Sequence, residues 1–299
     1  MIVRPNPNWI VILTTLKGSI AKRIALRVLL ITVFASLIVL LEKTYPASFE
    51  NVSSIPFTLL GLSLSIFMSF RNSSCYDRWW EGRKMWGKII IEVRAFCRES
   101  IVISDAQTRE EILKMLCAFA HALNSKLKGN KESISLSKWI ADDKFTFIDN
   151  PADTILSNIG EKCSKLASAG IISEWRYLEL ERRLIGLSEA QANCERIKNT
   201  PLPFPYTLLL HRTTFIFCLL LPFAMAEPLG WLAPIFTTIV SYTFFGLDAI
   251  GNELEDPFGN DVNDLPTDSM VRIIERDVHR ALGSIDLPPQ MKPVDHVLS

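Results

Sequence analysis

Residues 54–83 read SIPFTLLGLSLSIFMSFRNSSCYDRWWEGR, and the change of character inside them limits what the chain can become. Residues 55–70 are apolar apart from Pro56, Thr58, Gly61 and serines, and the run ends abruptly at Arg71. Ser54 is suited to cap a helix start, and Pro56 is tolerated in the first turn that follows. At about 1.5 Å per residue the run is roughly 24 Å long, slightly short of a bilayer core of about 30 Å, so the polar turns beyond it must complete a crossing. Leu62, Ile66 and Phe70 recur at i, i+4 and i+8 and form one stripe on a helix, with Thr58, Ser69 and Ser73 close to it. Gly61, Ser63 and Ser65 on the flanks permit close helix approach. A narrow apolar stripe between small residues suits a helix that lines a constriction with copies of itself. The same spacing also describes an ordinary buried membrane helix.

Three further apolar runs follow the same logic. Residues 24–41 are apolar after Arg27, whose long side chain can reach the interface, and Lys17, Lys22 and Arg23 precede them. Residues 206–226 carry His211 and Arg212, and residues 231–250 carry Asp248. Only residues 227–230, Glu-Pro-Leu-Gly, separate these two runs, so they are expected to form an antiparallel hairpin. Membrane helices are therefore expected at 24–43, 55–72, 206–226 and 231–250. Basic residues before the first run and after the second put both termini on the cytoplasmic side, with 42–53 as a short outer loop. Arg212 and Asp248 both fall near the inner end of the hairpin. An ion pair between them is expected, because a lone charge at that depth is costly.

Residues 78–200 contain no candidate span and show helical periodicity instead. Trp79, Trp80, Trp86, Ile89, Ile90 and Val93 fit one face, as do Ile112, Met115, Leu116, Phe119 and Leu123. Gly129-Asn130 and Asp149-Asn150-Pro151 mark breaks, and helices are expected at 152–168 and 171–197. The prolines at 201, 203 and 205 end this part. A last amphipathic helix is expected at 267–282, with Met270, Ile273, Ile274, Val278 and Leu282 on one side. The fold class is all-α: four transmembrane helices plus a large cytoplasmic helical bundle from 78–200 and 251–299. The bundle is interleaved with the membrane runs, so the chain is treated as a single unit, 1–299.

Composition narrows function by exclusion. The chain is 48% hydrophobic with positive mean hydropathy, which fits a partly membrane-embedded protein. Lys+Arg and Asp+Glu are equal at 32 each, which gives no basic excess for nucleic acid. The cysteines at 75, 97, 117, 163, 194 and 218 form no C-x-x-C pair, and the histidines at 121, 211, 279 and 296 have no metal-ligand spacing. The N-terminal MIVRPNPNWI does not read as a signal peptide. No H-E-x-x-H, G-x-S-x-G or Walker motif occurs, so an enzyme is not expected.

Two separated motifs carry a family resemblance. Phe70 to Arg83 reads F-R-N-S-S-C-Y-D-R-W-W-E-G-R directly after an apolar helix, and Asp256 to Asp261 reads D-P-F-G-N-D shortly after another. In that order they resemble the bestrophin family of ion channels, and most of all its bacterial branch, over roughly residues 1–285. The resemblance implies a homopentamer around a central pore in the cell inner membrane, with the lipid bilayer and small monovalent ions as its other partners. It implies a hydrophobic neck made by Leu62, Ile66 and Phe70, which can gate by dewetting. It implies a second narrowing on a cytoplasmic helix, placed at Leu180, with Leu184 and Tyr177 on nearby faces. In animal members the loop after the last membrane helix resembles a calcium clasp. Here Asp256, Asp261 and Asp264 make it a candidate cation-binding loop. Asn260, Val262 and Asn263 interrupt its acidic run, so a plain turn around Pro257 and Gly259 is the favoured reading, and no cofactor is expected.

The ion follows from charge placement. The neck stripe carries none, while Glu174, Glu179 and Glu181 lie on a cytoplasmic helix where they would favour cations if they face the vestibule. The expectation is a channel for monovalent cations such as sodium. A chloride channel of the animal type is the alternative. A transporter, which would show internal repeats or broken helices with midplane charges, and a membrane-anchored scaffold are the other classes.

Overall fold

The computed structural model describes residues 1–4, 8–49, 53–129, 135–140 and 150–299. Among them are nine α-helices: α1 Trp9–Thr14, α2 Ala21–Thr44, α3 Ile55–Glu99, α4 Ala106–Lys128, α5 Pro151–Ser168, α6 Glu174–Asn199, α7 Phe204–Leu229, α8 Ala233–Glu255 and α9 Thr267–Ala281. The chain separates into two compact units, neither continuous in sequence. One unit takes Pro5–Trp79 and Pro201–Asp256; the other takes Met1–Arg4, Trp80–Thr200 and Pro257–Ser299. The boundary falls inside α3, which continues without a break for 45 residues, so the polar sequence after Arg71 changes the helix's surroundings and not its backbone.

The first unit is built from α1, α2, the start of α3, α7 and α8. Helix α2 packs on α8 and α7 through Ile24, Ile31, Ala35 and Ile38, which lie on one stripe. Thr32 and Thr238 share a hydroxyl hydrogen bond of 2.6 Å, and Phe217 meets Phe244 edge to face at 5.2 Å. The opposite side of α2 presents Leu26, Leu29, Leu30, Val33 and Leu37 outward. A helix that is apolar all round is one made for a hydrocarbon surrounding.

Among the described residues, two stretches are by length and composition long and apolar enough to cross a membrane, Ala21–Thr44 and Phe204–Glu255. The second holds both α7 and α8. The start of α3 is not among them, because serines, Thr58 and Gly61 dilute a short run that ends at Arg71. Glu227 and Pro228, expected in the hairpin loop, are still helical in α7. The reversal is made by Gly230, with φ at +51°, and the 3₁₀ turn Gly230–Leu232. Residues 50–52, in the expected outer loop, lie outside the described residues.

The second unit wraps its helices around α4. Ile112, Leu116, Phe119 and Leu123 are fully buried, and α4 packs against α5, α6 and α9. Asp105 caps its start by accepting the Thr108 N–H at 2.9 Å. Gly129 ends it in the left-handed conformation, its N–H bonded to the carbonyls of Ser125 and Lys126. Asn150 caps α5 and Pro151 occupies its first position. Asn130 and Asp149, named above at the two breaks, lie outside the described residues.

Trp86, Ile89 and Val93 of α3 are buried as their periodicity predicts, whereas Trp80 is exposed. Helix α9 buries Met270, Val271, Ile274 and Val278. The first and last residues meet: Val3 N–H donates to the His296 carbonyl and Leu298 N–H to that of Met1. The Ser299 carbonyl accepts from Ser269 in the first turn of α9.

Candidate ion-conduction face

The first turns of α3 sort by period into two faces. Leu64, Met68, Arg71 and Cys75 recur at i, i+4, i+7 and i+11 and are buried. Gly61 lets the Phe217 ring of α7 approach: a Cβ there would lie 3.1 Å from its Cζ. The other face carries Leu62, Ile66 and Phe70 at 61%, 48% and 62% exposure. Leu59 and Phe67 are exposed as well. Following the same face toward the C-terminus, Ser73 and then Asp77 come next, both exposed. Asp77 is the first ionisable side chain on that stripe after the apolar residues.

The buried face contains a charge cluster that sequence reasoning placed elsewhere. Arg71 is completely buried. Its Nη1 donates to Asp248 Oδ1 at 3.0 Å and its Nη2 to Asn252 Oδ1. The other carboxylate oxygen of Asp248 lies 2.9 Å from Nδ1 of the half-exposed His211. Asn72 adds a bond from its amide to the Leu247 carbonyl at 3.0 Å. The expected Arg212–Asp248 pair is therefore corrected: Asp248 is buried and turned toward α3, while Arg212, one residue further round α7 than His211, is exposed. A signal was present in the sequence, since Asp248, Asn252 and Glu255 fall at i, i+4 and i+7 on one side of a mainly apolar helix.

On α6 the residue expected at a second narrowing, Leu180, is buried. Leu180, Leu184 and Leu187 share one stripe and are buried in the bundle core, so Leu180 presents no side chain to an open surface of the protomer. Its period places Trp175, Leu178 and Ile185 on the exposed side. Tyr177, Glu181 and Leu184 line a cavity of about 530 Å³ together with α5 residues such as Asp153 and Glu161. Glu179 is engaged by Arg182 at 2.8 Å, and Glu174 is exposed.

The loop after α8 is held as a turn. Asp264 is buried, and its Oδ2 accepts the Asp261 N–H at 2.7 Å. Leu265 N–H bonds to the Pro257 carbonyl, and the ring of Phe258 packs beside Gly82. Among the described residues no group of three or more His, Cys, Asp or Glu side chains is placed to hold a metal ion. All six cysteines are free and buried. Burial pushes the thiols of Cys97, Cys163 and Cys194 up to about 12, so none is a reactive thiolate.

Comparison with known proteins agrees with this architecture. The family model described as Bacterial/Fungal Bestrophin protein matches residues 1–280. A voltage-dependent anion channel-forming protein of Mesorhizobium japonicum is 39% identical over 99% of this chain and 96% of its own length. The voltage-dependent anion channel-forming protein YneE of Escherichia coli is 34% identical over 99% of both. The crystal structure of a bacterial bestrophin homologue from Klebsiella pneumoniae superposes with a TM-score of 0.84 at 32% identity, covering 88% of this chain and all of that one. A chain whose described residues form long helices, with this apolar hairpin and these relatives, is a membrane ion channel. It belongs to the bestrophin family, in its bacterial and fungal branch.

Proposed function

We propose that the chain assembles as a homopentamer around a central pore in the cell inner membrane, with four spans per protomer and both termini cytoplasmic. The neck of that pore is the stripe Leu62, Ile66 and Phe70. The observation that carries this reading is the division of α3. One face is anchored by packing and by the Arg71–Asp248 pair, and the other leaves three regularly spaced apolar side chains uncovered by the protomer. Copies around an axis would stack them as apolar rings, a constriction that gates by dewetting. The second narrowing belongs to the exposed side of α6, at Leu178 and Ile185, and not to Leu180. The Asp256–Asp264 loop acts as a turn that ends α8.

The conducted ions are monovalent cations. The apolar rings set no sign, and Asp77 is the nearest charge on their face, about 10 Å along the helix from Phe70. Copies of it would make an acidic ring beside the neck, the arrangement of cation pores. A second reading, an anion channel, is favoured by the names of the relatives from Mesorhizobium japonicum and Escherichia coli.

The reversal potential of the purified protein in planar bilayers under a NaCl gradient separates the two. A reversal near the sodium potential, moved toward zero by Asp77→Asn, supports the cation reading. A reversal near the chloride potential that is indifferent to Asp77→Asn establishes the anion reading. Absence of unitary current from the assembled protein would favour a scaffold.

A further inference from the structure

The bundle unit contains a basic cavity lined by none of the residues assigned to the pore above. It encloses about 400 Å³ and is lined by Arg94, Cys97, Arg98 and Ile101 from the end of α3 and the turn after it, Arg109 of α4, and Asp277, Arg280 and Ala281 of α9. Four guanidinium groups thus face one carboxylate, which leaves three positive charges uncompensated at the cavity wall.

The arginines are positioned, not merely gathered. Asp277 bridges two of them, accepting from Arg94 Nε at 2.6 Å and from Arg280 Nη1 at 2.8 Å. Arg109 is tied at two points, Nε to Ser100 Oγ and Nη2 to the Ala281 carbonyl, each at 3.1 Å. Arg98 is exposed and makes no ion pair among the described residues. Each guanidinium has five N–H donors, so most remain unused after these bonds. The Cys97 thiol, held neutral by burial, removes none of the charge. Ile101 and Ala281 add apolar wall.

We propose that this cavity binds a small phosphate-bearing anion, a phosphomonoester or pyrophosphate group. Fixed guanidinium forks match phosphate oxygens in bidentate geometry, and a group of two or more negative charges balances the excess that a chloride ion would leave. The volume lies in the range of small-molecule sites, about 300–1,000 Å³, so an organic portion fits beside Ile101. The phosphate can belong to a soluble ester or to a lipid headgroup.

The test is calorimetric titration of the purified full-length protein with inorganic pyrophosphate at an ionic strength of about 0.15 M, where diffuse surface attraction is screened. Arg98→Gln and Arg280→Gln are each expected to weaken binding at least tenfold. Arg182→Gln, on the exposed side of α6, leaves it unchanged. Displacement of pyrophosphate by a sugar phosphate identifies a soluble ester as the occupant, and displacement by phosphatidic acid vesicles identifies a headgroup. No heat with the parent protein, or equal affinity in all three variants, overturns the proposal. Binding is measured without current, so its failure is distinct from failure of the pore reading.

Discussion

Arg71 is completely buried, and the geometry around it explains how a guanidinium is accommodated there. Asp248 supplies the counter-charge, Asn252 a second acceptor and His211 a link to the surface. Removing one partner of such a pair strands the other, at a cost of about 3–5 kcal/mol. Asp248→Ala is therefore expected to lower the melting temperature steeply, while Arg212→Ala stays within about 0.5 kcal/mol of the parent, as exposed substitutions do. Comparable losses in the two variants would show that Arg212 shares the charge. Sequence spacing found Asp248 but chose the wrong arginine. Each arginine sits at an end of an apolar run, and only the helix phase distinguishes a buried face from an exposed one.

A second carboxylate, in the bundle, carries a pH dependence. Burial opposes ionisation of Glu275, but the hydrogen bond from His121, at 2.8 Å, and the charges of His121, Arg272 and Lys138 outweigh it. Its carboxyl is held below the usual glutamate range. A depressed carboxyl contributes fully above the ordinary value of about 4.3, and that contribution is lost as the pH falls through its own lower value. Glu275→Gln should thus reduce stability at neutral pH and flatten the acid limb of melting temperature against pH. Parallel limbs in parent and variant would assign the acid loss to other groups.

At the scale of elements, hydrophobic pattern is legible for most of the long helices, and their ends less so. The amphipathic helices of the bundle were legible because a core on one side imposes the 3.6-residue repeat, as in Ile112, Leu116, Phe119 and Leu123. The continuity of α3 through residues 71–79 was not legible. The change from apolar to charged side chains there reads as a boundary, although no proline interrupts the backbone. The covered face of α6 was not legible either, because leucines occur on both sides of it and only packing decides which are covered.

Close approach of α3 and α8 rests on Gly251. A Cβ there would lie 2.5 Å from Asn72 Oδ1 and 3.1 Å from Arg71 Nη1. Neither neighbour is free to retreat, since Asn72 is bonded to Leu247 and Arg71 to Asp248. Alanine normally favours a helix over glycine by about 1 kcal/mol. Here Gly251→Ala is expected to destabilise by about 1–3 kcal/mol, the range for overpacking. Gly87→Ala in α3, whose Cβ would meet only Arg83 Nη1 at 3.5 Å, serves as the control and should be neutral or stabilising. Melting curves in which Gly251→Ala matches Gly87→Ala would show that the contact relaxes.

At the scale of the whole molecule, the neck follows from what the protomer leaves unsatisfied. Leu62, Ile66 and Phe70 contribute little to the packing of a single chain, because each is about half exposed or more. Truncating them should leave protomer stability nearly unchanged, within about 0.5 kcal/mol. In the proposed pore the same side chains would define the narrowest radius and the dewetting barrier. Ile66→Ala and Phe70→Ala are therefore expected to raise single-channel conductance several-fold while the mass of the assembly stays that of the parent. This combination separates a pore-lining face from a lipid-facing one. Side chains turned to lipid would change neither conductance nor mass, and side chains buried between protomers would change the mass. Unaltered unitary current in both variants would move the constriction off this stripe, to the exposed face of α6 at Leu178 and Ile185, where the same truncation would then raise conductance.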